Sequence, residues 1–213
     1  MAWFVVLGLV VTMLAWRLVT VRGRDVWITI PPLLGVLGVA SVLLWSTVPA
    51  PVPGAANVPG MLGVLAIGAV SGIALYLGTL VFVGIAEHVP AFARQTAVAY
   101  RRAGTADPRR ELLLSLLLAV PGEELFWRGI AYRVGADTLT TAAVAAAVVC
   151  LLYVVANVPS RSLPIIAGAL VGGAVWGALA WWTGGVLAPL ASHILWTGLM
   201  LARPPRVSDL EVA

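Results

Sequence analysis

Residues Leu112–Tyr132 read LLLSLLLAVPGEELFWRGIAY, an apolar run that carries Glu123, Glu124 and Arg128 in its second half. At 1.5 Å of rise per residue, a helix of this length crosses a hydrocarbon core of about 30 Å. A charged side chain at mid-membrane costs about 2.5–3.5 kcal/mol even on the lenient insertion scale. Three of them are retained only where they pair, face a polar cavity or do chemistry. Glu124 and Arg128 are four residues apart, which places them on one helical face and allows an ion pair. Glu123 is turned by about 100° from Glu124, so the same arginine does not hold both equally well. One carboxylate is fixed and its neighbour is left comparatively free, the condition of a general base. Pro121 removes a backbone hydrogen bond and leaves a carbonyl near Leu117 without its partner. Within a membrane such a break is tolerated where protein or water satisfies it, which predicts a hydrated cavity at the glutamates. The competing reading is an interfacial helix end with a snorkelling salt bridge.

Working outward, the rest of the chain has the same solvent. Of 213 residues, 61% are hydrophobic and 10% are charged, and the mean hydropathy is +1.02. A soluble domain carries about 25% charged residues, so lipid is the natural surrounding. Apolar runs lie at Ala2–Val21, Val26–Val48, Met61–Ala86, Leu112–Tyr132, Thr138–Val158, Leu163–Trp182 and Val186–Ala202. They predict an all-α fold, a polytopic integral membrane bundle of about seven transmembrane helices; spanning strands would need a closed, alternating barrel. Most connections are short, so neighbouring helices pack antiparallel. Pro49, Pro51, Pro53 and Pro59 make the second connection stiff and uncharged. The longest connection, Glu87–Arg110, sets Phe92, Val98 and Tyr100 among arginines. It reads either as a segment on the membrane surface or as a solvated loop. The first run lacks a positive leading region and has Arg22 and Arg24 behind it, so it reads as a retained span rather than a signal peptide. Cys150, the single cysteine, has no partner for an internal disulfide.

Arginine placement predicts orientation. Arg17, Arg22, Arg24, Arg94, Arg101, Arg102, Arg109, Arg110, Arg161, Arg203 and Arg206 fall on one side of a seven-span model, leaving only Arg128 and Arg133. The positive-inside rule makes that side cytoplasmic, with the N-terminus outside and the C-terminus inside. The formal charge of +4 is spread over loop ends, which argues against a nucleic-acid partner. In the sixth run, Gly168 and Gly172, then Gly173 and Gly177, are four apart. This spacing allows close helix approach, or simply reflects how common glycine is in membrane helices.

Other polar residues fall within or at the ends of apolar runs. His193 lies in the seventh run with Thr197 one turn later on the same face. Asn157 ends the fifth run, one turn after Tyr153 and just before Val158-Pro159, where a helix should stop. His193 alone reads equally as a helix contact, and Asn157 alone reads as a cap. His88, beside Glu87 at a helix end, reads as interfacial.

Taken together, these residues resemble the CPBP family of CAAX-prenyl-endopeptidase-like intramembrane proteases and bacteriocin-processing proteins, also called Abi. Its pattern is EExxxR, then aromatic-xxx-His, then His-xxx-Asn, on separate membrane helices. Glu123, Glu124 and Arg128 match the first motif within EELFWRG, and the stretch AGALVGGAVWGALAWWTGGVLAPLASHILWTG resembles the family's glycine-rich helix and His helix. The resemblance covers about Leu112 to Met200. It implies variable membrane helices and a cytoplasmic loop over 1–110, a catalytic core over 111–202 and a cytoplasmic tail over 203–213, in a bacterial plasma membrane. Two positions depart from the pattern: Asn157 stands where a His is expected, after Tyr153 in the aromatic place, and Thr197 stands where Asn or Asp is expected.

The resemblance implies an intramembrane endopeptidase. In it, Glu123 is the base on water, Glu124 and Arg128 are its orienting partners, His193 is a second acid/base or ligand, and Asn157 donates to the oxyanion. Asn and Thr both retain hydrogen bonds for that task. Asn is a poor replacement for imidazole at zinc, which normally takes three protein ligands. Glu123 or Glu124 with His193 supplies two, so a divalent metal is an open question rather than an expected cofactor. The implied partners are a peptide or membrane-protein substrate and lipid. A catalytically inactive relative that binds or stabilises a membrane-protein partner is the alternative. A proton-coupled transporter using the glutamates as a relay is a third reading, but no repeated half or second broken helix supports it.

Overall fold

The computed structural model describes residues 1–51, 53–54, 59–103 and 107–205, with side chains omitted for 97–103. Among the described residues the chain is helical and contains no strand. The α-helices are α1 (Ala2–Arg22), α2 (Val26–Leu43), α3 (Met61–Ala86), α4 (Pro90–Ala103), α5 (Pro108–Leu114), α6 (Val120–Glu124), α7 (Tyr132–Thr138), α8 (Ala142–Asn157), α9 (Leu163–Thr183) and α10 (Leu187–Ala202). Two π-helical segments, Ser115–Ala119 and Leu125–Ala131, join α5, α6 and α7 into one rod. Five helices are long and apolar enough to cross a membrane: α1, α2, α3, α8 with its 3₁₀ extension to Ser160, and α9. The 108–138 rod and the apolar helix α10 complete a helical membrane bundle.

The rod corrects one expectation. Pro121 does not break the helix. The π turn before it widens the coil, and the Val120 N–H bonds to the carbonyl of Ser115, five residues back. A π turn absorbs the missing donor by shifting the hydrogen-bond register, and such turns recur at functional sites. Two run boundaries also move. The second run leaves α-helix at Leu43 and continues as a 3₁₀ turn, Trp45–Thr47. The fifth helix begins at Ala142 because the Thr141 side chain accepts from the Val144 N–H and caps it.

The long connection is largely helix rather than loop. In α4, Phe92 and Thr96 are buried while Arg94 is exposed, the amphipathic pattern of an interfacial helix. Phe92 meets Phe82 of α3 edge to face at 5.5 Å. Gln95 Oε1 accepts from the Leu163 N–H at 2.6 Å and so caps the start of α9. The side chains of Val98, Tyr100, Arg101 and Arg102, and all of Arg206, lie outside the described residues.

Helix directions agree with seven successive crossings. Gly35 and Gly38 of α2 face Leu118 and Gly122 in order, so α2 and the rod run parallel. Gly68 and Gly72 of α3 face Ala188 and Ser192, so α3 and α10 run parallel. Gly173 and Gly177 of α9 face Cys150 and Ala146 in reverse order, so α8 and α9 are antiparallel. The Gly38–Gly122 crossing requires its residue types: a Cβ on Gly122 would run into the carbonyl of Leu34. Arg133 is explained by structure, since Nη1 donates to the carbonyl of Val48 at 3.3 Å and its guanidinium lies over the Trp45 ring. Large apolar side chains point outward, among them Leu43 at 76% and Leu62 at 79% exposure. In water such a surface would aggregate; against acyl chains it is the expected one.

Candidate active site

The rod, α8, α9 and α10 converge on the glutamates. Glu124 is fully buried, and its Oε1 accepts from Arg128 Nη1 at 3.0 Å. The same oxygen lies 2.7 Å from His193 Nδ1. The other ring nitrogen, Nε2, is turned away toward Glu123. Glu124 Oε2 has no protein partner among the described residues. Arg128 is also buried, reaches the Gly173 carbonyl at 3.5 Å, and sits over the rings of Tyr153 and Trp176 at 4.6 and 5.2 Å. A Cβ on Gly173 would crowd Tyr153 at 3.1 Å and Cys150 Sγ at 3.3 Å. Of the paired glycines in the sixth run, Gly173 marks a close approach to α8, whereas a Cβ on Gly177 would make only an ordinary contact with the Ala146 carbonyl at 3.5 Å.

Glu123 takes a different environment from its neighbour. Tyr153 Oη donates to its Oε2 at 2.9 Å, and His193 Nε2 lies 4.0 Å from the same oxygen. The His193 ring stacks on Trp176 at 3.6 Å between centroids and 17° between planes. Trp176 is held in turn by its Nε1 donating to Ser192 Oγ at 3.3 Å. His193 is thus fixed by a carboxylate at one nitrogen and by a stacked indole across its face.

These groups border a cavity of about 900 Å³ whose lining includes Glu123, Tyr153, Asn157, His193 and Thr197. The rest of its wall is mostly apolar, with Trp16 and Trp27 from the first two helices and Phe92 from α4. Asn157 is buried; its Nδ2 donates to the Tyr153 carbonyl at 2.8 Å and its Oδ1 accepts from Trp16 Nε1 at 3.1 Å. It is more than a helix cap. Thr197 is partly buried one turn beyond His193. His88 lies apart, exposed, with Nδ1 3.1 Å from the Ile85 carbonyl.

All six candidate residues, Glu123, Glu124, Arg128, Asn157, His193 and Thr197, come together in this region. The expected partnership differs in one respect: Glu124 reaches His193 as well as Arg128. Sequence reasoning placed Tyr153 in the aromatic position of the second motif without giving it a role, and it missed Trp176 and Trp16. Tyr153 had a usable signal, a hydroxyl one turn before Asn157 on the same face. Trp16 had none, because nothing in an apolar first helix marks an indole as a hydrogen-bond donor to a residue 141 positions away.

The residues do not suit a metal ion. The described residues contain no group of three or more His, Cys, Asp or Glu side chains able to hold one. The Glu124 oxygen nearest His193 is engaged by a guanidinium, and the place of a second imidazole is taken by an amide tied to Trp16 and Tyr153.

Residues 107–199 match the family model described as type II CAAX prenyl endopeptidase Rce1-like. Searches of curated proteins and of solved structures each returned no match. The matched segment contains the EExxxR glutamates, the His helix and the aromatic-xxx-Asn turn, and the match to a CAAX-protease-type family model agrees with the CPBP resemblance.

Proposed function

We propose that the chain hydrolyses a peptide bond in a peptide or membrane-protein substrate, using water activated at Glu123. The observation that carries this reading is the 4.0 Å gap between Glu123 Oε2 and His193 Nε2 at the edge of the cavity. One water placed there hydrogen-bonds to both atoms at ordinary distances. Glu123 takes its proton, the oxygen attacks the peptide carbonyl carbon, and Glu123 then gives that proton to the leaving amine as the C–N bond breaks. Tyr153 steadies Glu123 through its hydroxyl. Glu124, held by Arg128, orients His193 as a carboxylate orients imidazole in a hydrolytic triad. This assigns Glu124 to His193 as well as to the EExxxR pair. His193 Nε2 accepts the second hydrogen bond of the water. Asn157 and Thr197 donate to the oxyanion.

In this reading residues 111–202 form the catalytic core, 1–110 supply supporting membrane helices and the α4 segment, and 203–213 form a tail. The N-terminus is outside and the C-terminus cytoplasmic. Replacing Glu123 by Gln keeps the shape and removes the base, so membranes from a Glu123→Gln strain should accumulate proteins that wild-type membranes process. An inactive scaffold predicts the opposite, full complementation of a deletion strain by the same variant.

A further inference from the structure

Asn157 is held by two groups of opposite hydrogen-bonding character. Trp16 Nε1 in α1 donates to its Oδ1, and its Nδ2 donates to the Tyr153 carbonyl. An indole N–H only donates and a peptide carbonyl only accepts, so both partners impose the same amide orientation. Nδ2 has two hydrogens. The Tyr153 carbonyl takes one, and the other is left for a group in the cavity that Asn157 lines with Glu123 and His193. One turn beyond Trp16, Thr20 Oγ1 donates to the Pro159 carbonyl at 3.2 Å. Two hydrogen bonds therefore fasten α1 to the end of α8, one at Asn157 itself and one just beyond it at Pro159.

We infer that Trp16 is a positioning residue for the reaction: its indole N–H fixes the Asn157 amide so that an N–H, and not the carbonyl, faces the developing oxyanion. The inference rests on the proteolytic reading and adds to it a residue from outside the matched segment 107–199. Without the indole donor only the Tyr153 carbonyl selects the orientation. A flipped amide would present a carbonyl oxygen to negative charge. The Trp16 donor also suits the departure from the family pattern, because an asparagine has two distinguishable faces to set.

The test is a double-mutant cycle of Trp16→Phe and Asn157→Ala, purified in detergent and reconstituted in phosphatidylcholine–phosphatidylglycerol vesicles. The probes are quenched fluorogenic peptides with and without a prenylated cysteine. Trp16→Phe keeps an aromatic ring and removes the donor, so kcat should fall about 3- to 10-fold, the usual weight of one hydrogen bond, with KM changed less than about twofold. In the Asn157→Ala background the same change should leave kcat where it was, because the group it positions is gone. Thermal unfolding of the four proteins should be non-additive in the same sense. A raised KM at unchanged kcat, or additive losses in kcat, would make Trp16 a piece of cavity wall and overturn the inference. Additive unfolding shifts would overturn it too, by removing the contact itself. Wild type that cleaves no probe, or cleaves as well with Glu123→Gln, fails the proteolytic reading instead, and the inference falls with it.

Discussion

Two walls of the site are held by different physics. On one, Glu124, Arg128 and His193 are buried and interlocked through a single carboxylate oxygen, with Trp176 stacked behind the imidazole. On the other, Trp16, Tyr153 and Asn157 are neutral and joined by single hydrogen bonds. A buried charge that loses its partner costs far more than a neutral group that loses one hydrogen bond. The charged wall is therefore bound up with folding. The neutral wall can be altered with the bundle intact, and its contribution should be read in turnover.

The largest effect on stability should come from Arg128→Ala. It strands the Glu124 carboxylate inside the bundle and should destabilise by roughly 3–5 kcal/mol, read as lost folded protein in detergent. Glu124→Gln with Arg128→Met should be better tolerated than Arg128→Ala alone, since no charge is left unpaired and Gln keeps an oxygen for His193. Equal loss in both would mean that the ion pair is solvated. Gly122→Ala should come next. Its methyl group collides with the Leu34 carbonyl, and prying the α2–α6 crossing apart should cost about 1–3 kcal/mol, measurable as a lower Tm.

The neutral wall should behave the other way round. Asn157→Ala should reduce turnover by roughly 10²–10³-fold if its N–H meets the oxyanion, while stability changes by only about 1 kcal/mol. A stability loss as large as that of Arg128→Ala would erase the distinction between the walls. Asn157→His should keep activity, since a ring nitrogen can still accept from Trp16. The smallest effect concerns architecture alone. Reporters fused after Arg102 and at the C-terminus should both read cytoplasmic, and one in the Pro49–Pro59 connection should read external. Those insertions should leave turnover largely unchanged.

The same contrast explains what was legible before the structure. Three charges inside an apolar run are conspicuous because lipid makes them costly, so Glu123, Glu124 and Arg128 could be singled out and the Glu124–Arg128 pair foreseen. The helical membrane bundle was equally legible, because length and hydropathy leave few alternatives. Tyr153, Trp16 and Trp176 carry little such penalty, and their roles depend on contacts between distant helices. Pro121 misled for a related reason. Its missing N–H is a local fact, but the π turn over Ser115–Ala119 that shifts the hydrogen-bond register before it leaves no mark in an apolar run.

Whether Glu123 activates water for peptide hydrolysis is read in the membrane proteome of a deletion strain complemented with wild type or with Glu123→Gln at equal protein level. Glu123→Gln should leave at least one membrane protein or peptide uncleaved that wild type cuts at a defined bond, and purified wild type should restore that cut in vesicles. Identical cleavage products and full complementation by Glu123→Gln would contradict water activation at Glu123, and the glutamate pair would then serve packing alone.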